Sequence, residues 1–454
     1  MRFVPREDER QVAVREIRWL TDVIPSNAIG GMPALEGIEI SQPPSASLCL
    51  HCKGGRMLCG KISCPMIAKA QALARLGEAF DSEYIDGSSP PGVFVGRIGY
   101  PKVYAGPMIP PYHGDTEILD VPERWVGKSI QDIIDYRFSL IRGKSRCDIH
   151  DAAQGGGLLD TLQELAMGTG PTDSEASFAR KPRKILTLSE ETQPFGPSAL
   201  LRSFKTSNVS VDRRIEDAYY DRHLRAQEAV LELYEDGVLV SQIQRAFSVG
   251  MFGVGARRRL VPTRWSITAV DSTLSLRFVD EIKQYNTIDE YRVHTFRNLD
   301  NIFVALLMPE TWKYECIEAW FPGTTWNPNQ QSGSAVLMGD SEDYWGRRTY
   351  ASIGGCYYST RLAVSEALRR ERRQASALVL REIHPGYIVP VGVWNVRESV
   401  RSALRTPARR FDNFRGALQC AMSQFVIPLK RWIEGSTLLK HALFQRRITD
   451  YPQT

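Results

Sequence analysis

The chain lacks the segments that would place it in or across a membrane. It has no run of about 18 apolar residues, the length that a membrane-spanning helix needs. The stretch from Met1 to Asp8 has no apolar core of the kind found in a secretory signal peptide. We therefore expect a cytoplasmic protein with no membrane partner.

Several signatures of common enzymes are also missing. There is no Walker loop, no G-x-G-x-x-G after a predicted strand and no Ser-His-Asp signature. P-loop ATP hydrolysis, Rossmann dinucleotide chemistry and acyl transfer therefore lack support. The sequence also shows no internal repeat. Whether the chain is an enzyme stays open at this point.

The composition is that of a globular protein with more than one domain. The chain has 454 residues, which is too long for a single core. Of these residues, 43% are hydrophobic and 24% are charged, as in ordinary globular proteins. We predict a cysteine-rich module with a packed helix at residues 1–80, an α/β region at 81–175, a linker-like segment at 176–212, a C-terminal α/β domain at 213–440 and a separate tail at 441–454. The predicted fold class is mixed α/β, with a four-cysteine zinc knuckle near the N-terminus and a flexible C-terminal peptide.

Periodicity predicts the main helices and strands. We expect a helix from Pro65 to Phe80 and a long amphipathic helix from Arg213 to Leu239. A hairpin is predicted around Gly99-Tyr100-Pro101, and the turn at Gly87 to Pro91 favours a rigid structure over a phosphate-binding loop. Strands are predicted at Trp265 to Val270, Ile302 to Met308, Tyr314 to Phe321, Ala377 to Ile383 and Tyr387 to Val396.

Four cysteines within sixteen residues form the strongest local pattern. Cys49, Cys52, Cys59 and Cys64 have the spacing C-x2-C-x6-C-x4-C, and glycines in the intervening loop let four thiolates converge. We predict a structural Zn²⁺ site and favour it over an iron–sulfur cluster, which also binds Cys-rich runs that end in Cys-Pro. His51 could replace a cysteine as a ligand, although a bystander role is favoured.

The C-terminal tail has the form of a clamp-docking peptide. Gln445, Ile448 and Tyr451 form a Q-x-x-I-x-x-Y string, in which one helical turn would bring the aliphatic and aromatic side chains to one side. The alternative is a frayed polar end of the last helix. Residues 401–454 hold ten Lys or Arg against three Asp or Glu, so positive charge is concentrated there. Arginines between Arg401 and Arg415 recur at helical spacing and could contact phosphates or solvent.

A group of acidic residues could support catalysis. If Glu318, Asp340 and Glu342 converge, they could hold Mg²⁺ or Mn²⁺ for attack on a phosphodiester. The alternative is that these carboxylates pair with the many arginines of the chain.

Arginines and aromatic residues in three places are candidates for nucleic-acid binding. The first place is an arginine-rich segment with Arg257, Arg258, Arg259, Arg264 and Trp265. The second is Tyr357, Tyr358 and Arg361, which could line a base-binding pocket, and the third is Arg397 and Arg401, one helical turn apart. Each group could equally be a structural set of ion pairs or a core edge.

Together, five stretches of the sequence resemble a known family, the archaeal Nre DNA repair proteins. They are the knuckle ending Cys59-Gly60 and Cys64-Pro65, Gly87-Ser88-Ser89-Pro90-Pro91 with Phe94-Val95-Gly96-Arg97, Val261 to Ala269, Glu318-Ala319-Trp320 with Pro322-Gly323, and Gly392-Val393-Trp394 with Arg397-Glu398. The resemblance implies DNA as a partner, a role in the response to DNA damage, a zinc-finger-like motif and a C-terminal peptide that binds the sliding clamp PCNA.

The resemblance maps the PCNA peptide onto Gln445, Ile448 and Tyr451, and Pro452 departs from peptides that carry a second aromatic residue. It supplies no established reaction. Our leading hypothesis is a DNA repair factor that the clamp delivers to DNA. The alternatives are a metal-dependent nuclease or phosphodiesterase acting on damaged DNA, and a non-catalytic adaptor between the clamp and other repair proteins.

Overall fold

The described part of the chain forms two compact units. The computed structural model describes residues 52, 56–58, 61–75, 80, 82–182, 194–328 and 333–445. The first unit holds the described residues up to Phe278 together with Gly386–Glu398, and the second holds Val279–Pro385 together with the described residues from Ser399 onward. This division differs from the predicted domain ranges, because a short late segment of the chain belongs to the first unit.

Helices and strands alternate irregularly along the first unit. Its elements are α1 (Pro65–Arg75), β1 (Tyr84–Ser89), β2 (Val93–Val95), β3 (Lys102–Ile109), α2 (Ile130–Phe138), β4 (Ile141–Asp148), α3 (Asp151–Gln154), α4 (Leu158–Met167), β5 (Thr172–Phe178), β6 (Ser198–Thr206), α5 (Arg213–Tyr220), α6 (Ala226–Glu235) and α7 (Val240–Ser248). Short 3-10 helices lie at Glu117–Asp120, Pro122–Arg124 and Gly255–Arg257.

The first unit is organised on a six-stranded sheet with the order β1-β5-β6-β4-β3-β2. β4 and β6 are parallel and the other neighbours are antiparallel. One face of the sheet is buried and is contacted by α4 and α7. Residues of the other face alternate with the buried ones along β1, β3 and β5 and are exposed, as in antiparallel sheets with one solvated face.

The remaining elements complete the chain. They are α8 (Thr263–Ile282), β7 (Tyr291–Asn298), β8 (Asn301–Met308), β9 (Lys313–Trp320), β10 (Val336–Glu342), α9 (Gly355–Glu371), β11 (Ser376–Ile383), α10 (Val393–Arg405), β12 (Arg409–Phe411), α11 (Phe414–Met422), α12 (Leu429–Gly435) and α13 (Thr437–Phe444).

The second unit contains a six-stranded sheet with the order β10-β9-β11-β8-β7-β12. β9 and β11 are parallel, and every residue of β8 and β11 is buried. One face carries an apolar core that includes Val304, Leu306 and Leu378, and α11, α12 and α13 add Leu418, Trp432 and Leu439 to it. The other face is contacted by α9, and it holds the predicted carboxylates.

The predicted mixed α/β fold class is confirmed, and several predicted elements are found. A helix begins at Pro65 as expected, and residues 76–79 lie outside the described part. The hairpin is formed by β2 and β3. The strands predicted from Ile302, Tyr314 and Ala377 are β8, β9 and β11. No helix among the described residues is long and apolar enough to span a membrane.

The strand predicted at Trp265 to Val270 is wrong, because this segment lies in α8. Pro262 directly precedes the helix, and its carbonyl oxygen accepts hydrogen bonds from the amides of Trp265 and Ser266. A short apolar run cannot distinguish a strand from a buried helix, whereas a proline at the start favours a helix.

The long helix predicted from Arg213 to Leu239 is two helices, α5 and α6. Between them, the Asp221 carboxylate accepts hydrogen bonds from the backbone amides of His223 and Leu224, at 2.8 and 3.0 Å. A short acidic side chain that bonds the backbone locally competes with continued helix formation. The break therefore has a local cause within an amphipathic pattern.

Two further predictions need correction. The strand expected from Tyr387 to Val396 is a loop followed by α10, because Pro390 has no amide hydrogen for a sheet and the helix begins after Gly392. The segment predicted as a linker, 176–212, contributes the end of β5 and all of β6 to the first sheet. Residues 183–193 within it lie outside the described part.

Candidate functional site

The three predicted catalytic carboxylates lie on one face of the second sheet. β9 and β10 are antiparallel, and Glu318 is paired with Met338, Asp340 with Cys316, and Glu342 with Tyr314. Side chains of directly paired residues project to the same face, and alternate residues along each strand share it. The strand register therefore places the three carboxylates on one face but separates Glu318 from Glu342 by four residue positions along the strands.

Each carboxylate is bound by its own arginine. Glu318 accepts a 2.6 Å hydrogen bond from Arg381, and both side chains are almost fully buried. Arg381 also donates to Asn301. Asp340 accepts from Arg347 and from the backbone amide of Ser352.

Glu342 is held by three donors in the core. It accepts hydrogen bonds from Arg361 at 2.7 Å, from the Tyr357 hydroxyl at 3.0 Å and from the Trp312 indole at 3.2 Å. The Arg361–Glu342 ion pair is almost inaccessible, with side-chain exposures of 2% and 1%. The lone pairs of the Glu342 carboxylate are directed at protein donors, which favours a structural role for this group.

The described residues show neither a metal-binding cluster nor a thiol of lowered pKa near these carboxylates. Among the described residues, no three His, Cys, Asp or Glu side chains form a group that could hold a metal ion. Burial raises the pKa of the Cys316 thiol to about 12 and raises the pKa of Cys356 well above its usual value. Both thiols are therefore protonated at neutral pH, and a thiol is a poor nucleophile.

The residues proposed to form a base-binding pocket lie in the interior of the second unit. Tyr357, Tyr358 and Arg361 are on α9 and all three are buried. The Tyr357 ring packs edge-on against Tyr314, with ring centroids 5.0 Å apart. The structure therefore uses these aromatic residues to pack α9 onto the sheet, which is the core-edge alternative.

Arg397 and Arg401 are on α10, and both are bound by carboxylates. Arg397 donates to Asp271 at 2.8 Å and to Glu398 at 3.1 Å, and its own exposure is 1%. Arg401 donates to Glu366 at 2.8 Å. Neither guanidinium is presented to solvent as a free cation. The predicted helical row that continues to Arg415 is interrupted, because residues 409–411 form β12.

The arginine-rich segment before α8 has both buried and exposed members. Arg258 is buried and donates to the carbonyl oxygens of Gly253 and Asp221, and burial lowers its pKa. Arg259 donates to two backbone carbonyl oxygens. The exposed members of this segment are Arg257, Arg264 and Trp265. Of the residues predicted to bind nucleic acid, these three are the ones placed at the surface.

Trp265 has an aromatic neighbour in the hairpin of the first unit. Its ring centroid lies 5.3 Å from that of Tyr100, and the two side chains are about half exposed, at 46% and 50%. The hairpin is attached to α8 by a 2.8 Å hydrogen bond from the Val95 amide to the Thr263 hydroxyl. An exposed aromatic pair is thus held in place by backbone and side-chain contacts.

Two of the four predicted zinc ligands are described. Cys52 is buried, and its Sγ accepts a hydrogen bond from the Leu58 amide at 3.4 Å. Cys64 directly precedes α1 and its carbonyl oxygen accepts from the Ala68 amide. Cys49 and Cys59 lie outside the described residues. A hydrogen bond from a backbone amide to sulfur stabilises a thiolate, so the environment of Cys52 fits a metal ligand.

The tail follows an anchored helix. Ser436 caps α13 by accepting from the Leu439 amide, and Glu315 on β9 accepts from the Thr437 amide at 2.7 Å. Gln445 follows Phe444, the last residue of α13. Ile448 and Tyr451 lie outside the described residues.

A polar cluster on the first sheet was not predicted. Asp173 accepts hydrogen bonds from the Ser88 hydroxyl at 2.7 Å and from His113 at 3.0 Å, and the other ring nitrogen of His113 lies 3.2 Å from Asp86. These carboxylates, Asp173 first, raise the pKa of His113. The residues come from three separate segments, so only the register of β1 and β5 could have brought them together.

Comparison with protein-family models places most of the chain in one family. The model described as "Archaeal Nre, N-terminal" matches residues 58–327, and the model described as "Archaeal Nre, C-terminal" matches residues 342–451. The resemblance noted in the sequence is therefore confirmed.

Curated relatives agree with this assignment. The chain is 44% identical to "DNA repair protein NreB" of Archaeoglobus fulgidus, over 86% of this chain and 97% of that protein. It is 38% identical to "DNA repair protein NreA" of the same organism, over 85% and 95%, and 34% identical to "DNA repair protein NreA" of Haloferax volcanii, over 80% and 88%. No solved structure was found to match the chain. The chain belongs to the archaeal Nre family.

Proposed function

We propose that this chain is a DNA repair factor that acts in the response to DNA damage. The observation that carries the proposal is its identity of 34–44% to three relatives named DNA repair proteins, along almost their full length. Exposed basic and aromatic residues of the first unit support DNA as the partner. A strain that lacks the chain should be hypersensitive to DNA-damaging agents, and wild-type sensitivity would contradict the proposal.

A non-catalytic role is favoured over the nuclease alternative. Glu318, Asp340 and Glu342 are each neutralised by an arginine, and recruiting a divalent ion would require breaking buried ion pairs. We therefore expect no cleavage when the protein is incubated with damaged and branched DNAs in the presence of Mg²⁺ or Mn²⁺. Metal-dependent cleavage that Glu318→Gln abolishes would overturn the non-catalytic role.

Recruitment by the sliding clamp PCNA is the second part of the proposal. Gln445, Ile448 and Tyr451 follow a helix that is capped by Ser436 and bound to β9 through Glu315, so the tail begins from a fixed point. We expect the full-length protein to bind the purified clamp in calorimetry.

A double substitution, Ile448→Ala with Tyr451→Ala, should reduce clamp binding by more than about tenfold, because the peptide would lose both apolar anchors. Thr449→Ala is the matched control within the same tail and should bind as the wild type does. If the double variant keeps wild-type affinity, the tail is not the clamp-binding element.

The four-cysteine zinc site is the third part of the proposal. Cys52 is buried and accepts an amide hydrogen bond, which suits a thiolate ligand. Zn²⁺ bound by Cys49, Cys52, Cys59 and Cys64 would stabilise the local fold and would leave no open position for catalysis. Elemental analysis should find about one zinc per chain. Cys52→Ser should lose it, whereas Cys420→Ser, at a cysteine far along the chain, should retain it.

A further inference from the structure

A row of basic residues runs along the exposed face of the first sheet. Arg142, Lys144 and Arg146 are alternate residues of β4, so their side chains project to the same face. Arg146 is exposed and the other two are partly exposed. Because alternate strand residues are about 6.6 Å apart, the row could follow an extended polymer with regularly spaced charges.

The row has no ion-pair partner in the described part of the chain. None of its three side chains has a described carboxylate within ion-pair distance, although the chain pairs many of its other arginines. The charge of Asp120 acts on Arg142 and raises its pKa, but this effect is smaller than the lowering by burial and by Arg137. The pKa of Lys144 is lowered, first by burial and then by repulsion from the nearby Arg142. Closely spaced cations without partners are costly to maintain, and an anionic ligand would relieve that cost.

Arg142 is held in a fixed orientation. Its guanidinium lies over the ring of Phe195 at 4.6 Å from the centroid and over the ring of Phe94 at 5.3 Å. Burial, and then the neighbouring Arg137, lower its pKa to about 10, so it remains charged at neutral pH. A guanidinium fixed by aromatic rings has its remaining donors preorganised for an oxyanion.

Exposed apolar side chains flank the row on both sides. Tyr104 of β3 is paired with Arg146 and is 39% exposed, and Leu200 of β6 is paired with Lys144 and is 53% exposed. Directly paired residues lie side by side on the same face. The surface thus combines cations with two apolar groups, an aromatic ring and an aliphatic side chain. Water solvates both groups poorly.

We propose that this surface binds single-stranded DNA, with phosphates on Arg142, Lys144 and Arg146 and a base stacked on Tyr104. An unpaired base exposes a face on which an aromatic ring can stack, whereas the bases of a duplex are stacked on one another. The face of a sheet also lacks the protruding helix or ribbon that enters a major groove. The choice of DNA rests on the proposed repair function.

The acidic edge of the same sheet limits where the strand can lie. Asp86 on β1 and Asp173 and Glu175 on β5 are exposed on this face, two to three strands away from β4. Phosphates would be repelled there. We therefore expect the bound strand to run along β4, over the β6-β4-β3 part of the sheet, and not across all six strands.

The test is fluorescence anisotropy with the full-length protein and three labelled probes: an oligothymidylate of 20 nucleotides, a 20-base-pair DNA duplex and an oligouridylate. We expect the single-stranded DNA to bind at least about tenfold more tightly than the duplex, because stacking requires an unpaired base. Equal affinity for the duplex would overturn the single-strand assignment, and equal or tighter binding of the RNA would overturn the assignment of DNA.

Variants test the residues themselves. Lys144→Glu with Arg146→Glu should weaken single-strand binding by more than about tenfold through loss and reversal of charge. Arg213→Glu, an exposed position on α5, is the matched control and should bind as the wild type does. Tyr104→Ala should weaken binding of the single strand by about fivefold or more, whereas Tyr104→Phe should bind as the wild type does. Stacking needs the ring and not the hydroxyl.

The outcome is separable from the repair proposal. Unchanged binding in the double charge reversal, with the same thermal unfolding as the wild type, would refute this surface and leave damage sensitivity and clamp binding untouched. Should the double charge reversal unfold, Tyr104→Ala against Tyr104→Phe decides the question, and equal binding by these two variants refutes the proposal.

Discussion

At the scale of single residues, the second unit isolates charge from solvent and neutralises it in pairs. The Glu318–Arg381 and Glu342–Arg361 pairs have all four side chains at 4% exposure or less. Burying such a pair contributes little net stability, but removing one partner leaves a charge without water or a counter-ion. These residues therefore constrain the fold far more strongly than their modest net energy suggests.

Arg381→Met should destabilise the protein by about 3–5 kcal/mol, because the Glu318 carboxylate would stay buried without its guanidinium. The measurement is urea unfolding followed by circular dichroism. Arg410→Met is the matched control, since Arg410 forms an exposed ion pair with Glu290, and should cost less than about 1 kcal/mol. Similar losses in the two variants would show that Glu318 is not held by Arg381.

His113 gives a prediction about pH at the residue scale. Its pKa is raised chiefly because the ring is hydrogen-bonded to Asp173 and then to Asp86. A raised folded-state pKa means that the stabilisation is complete below the unfolded-state pKa and is lost as the pH rises through the folded-state value. Asp173→Asn should therefore lower the pKa of His113, as measured by NMR titration.

Asp148→Asn is the control for that titration. Asp148 contacts His150 and not His113, so the titration of His113 should not move. If the pKa of His113 is the same in Asp173→Asn as in the wild type, the hydrogen bond between the ring and Asp173 is absent in solution.

At the scale of elements, the last helix depends on a cap that also contacts the sheet. The Ser436 hydroxyl accepts from the Leu439 amide and donates to the buried Glu315 carboxylate. Ser436→Ala should cost about 1–3 kcal/mol in urea unfolding, because it removes a helix cap and one donor to a buried carboxylate.

Ser423→Ala is the comparison for the cap. The Ser423 hydroxyl is exposed and donates to a backbone carbonyl oxygen at the end of α11, so its loss should change stability by less than about 0.5 kcal/mol. If both serine variants unfold at the same urea concentration, the cap does not stabilise α13.

Elements were predictable where one local signal dominated. The buried run of β8 and the proline at the first position of α1 were sufficient for correct assignments. Trp265 was misassigned because its apolar neighbours fit either a strand or a helix, and burial of Val270, Leu274 and Phe278 at helical spacing is visible only when the fold is known. Periodicity describes which residues are buried, but it does not specify the partner that buries them.

The candidate site was less predictable than the fold. Glu318 and Arg381 are far apart in sequence and meet because β9 and β11 are parallel neighbours, with these two residues in register. The row on β4 was missed because its three basic residues alternate with small or polar ones and resemble an ordinary solvated strand. Its lack of ion-pair partners among the described residues depends on the neighbouring strands and is not visible in β4 alone.

At the scale of the whole molecule, a formal charge of +5 is distributed unevenly. The exposed face of the first sheet has a basic part and an acidic part, and only the basic part attracts a polyanion. Affinity for single-stranded DNA should therefore fall steeply with salt, with a slope that counts the phosphates neutralised.

Arg146→Ala should reduce that slope by about 0.7, the value for one phosphate contact on a single strand. The measurement is a series of anisotropy titrations at increasing potassium chloride. Arg213→Ala, on α5, should leave the slope as it is in the wild type. A slope that Arg146→Ala does not change would mean that Arg146 contacts no phosphate.

The interleaving of the chain has a consequence for its synthesis. The first unit includes residues 386–398, where Trp394 packs edge-on against Trp125 and Arg397 binds the buried Asp271. A ribosome must therefore translate more than a hundred residues of the other unit before it delivers the segment that completes the first. Until then the nascent first unit exposes the Trp125 site and lacks the guanidinium that binds Asp271, so we expect this chain to depend on chaperones most strongly during its translation.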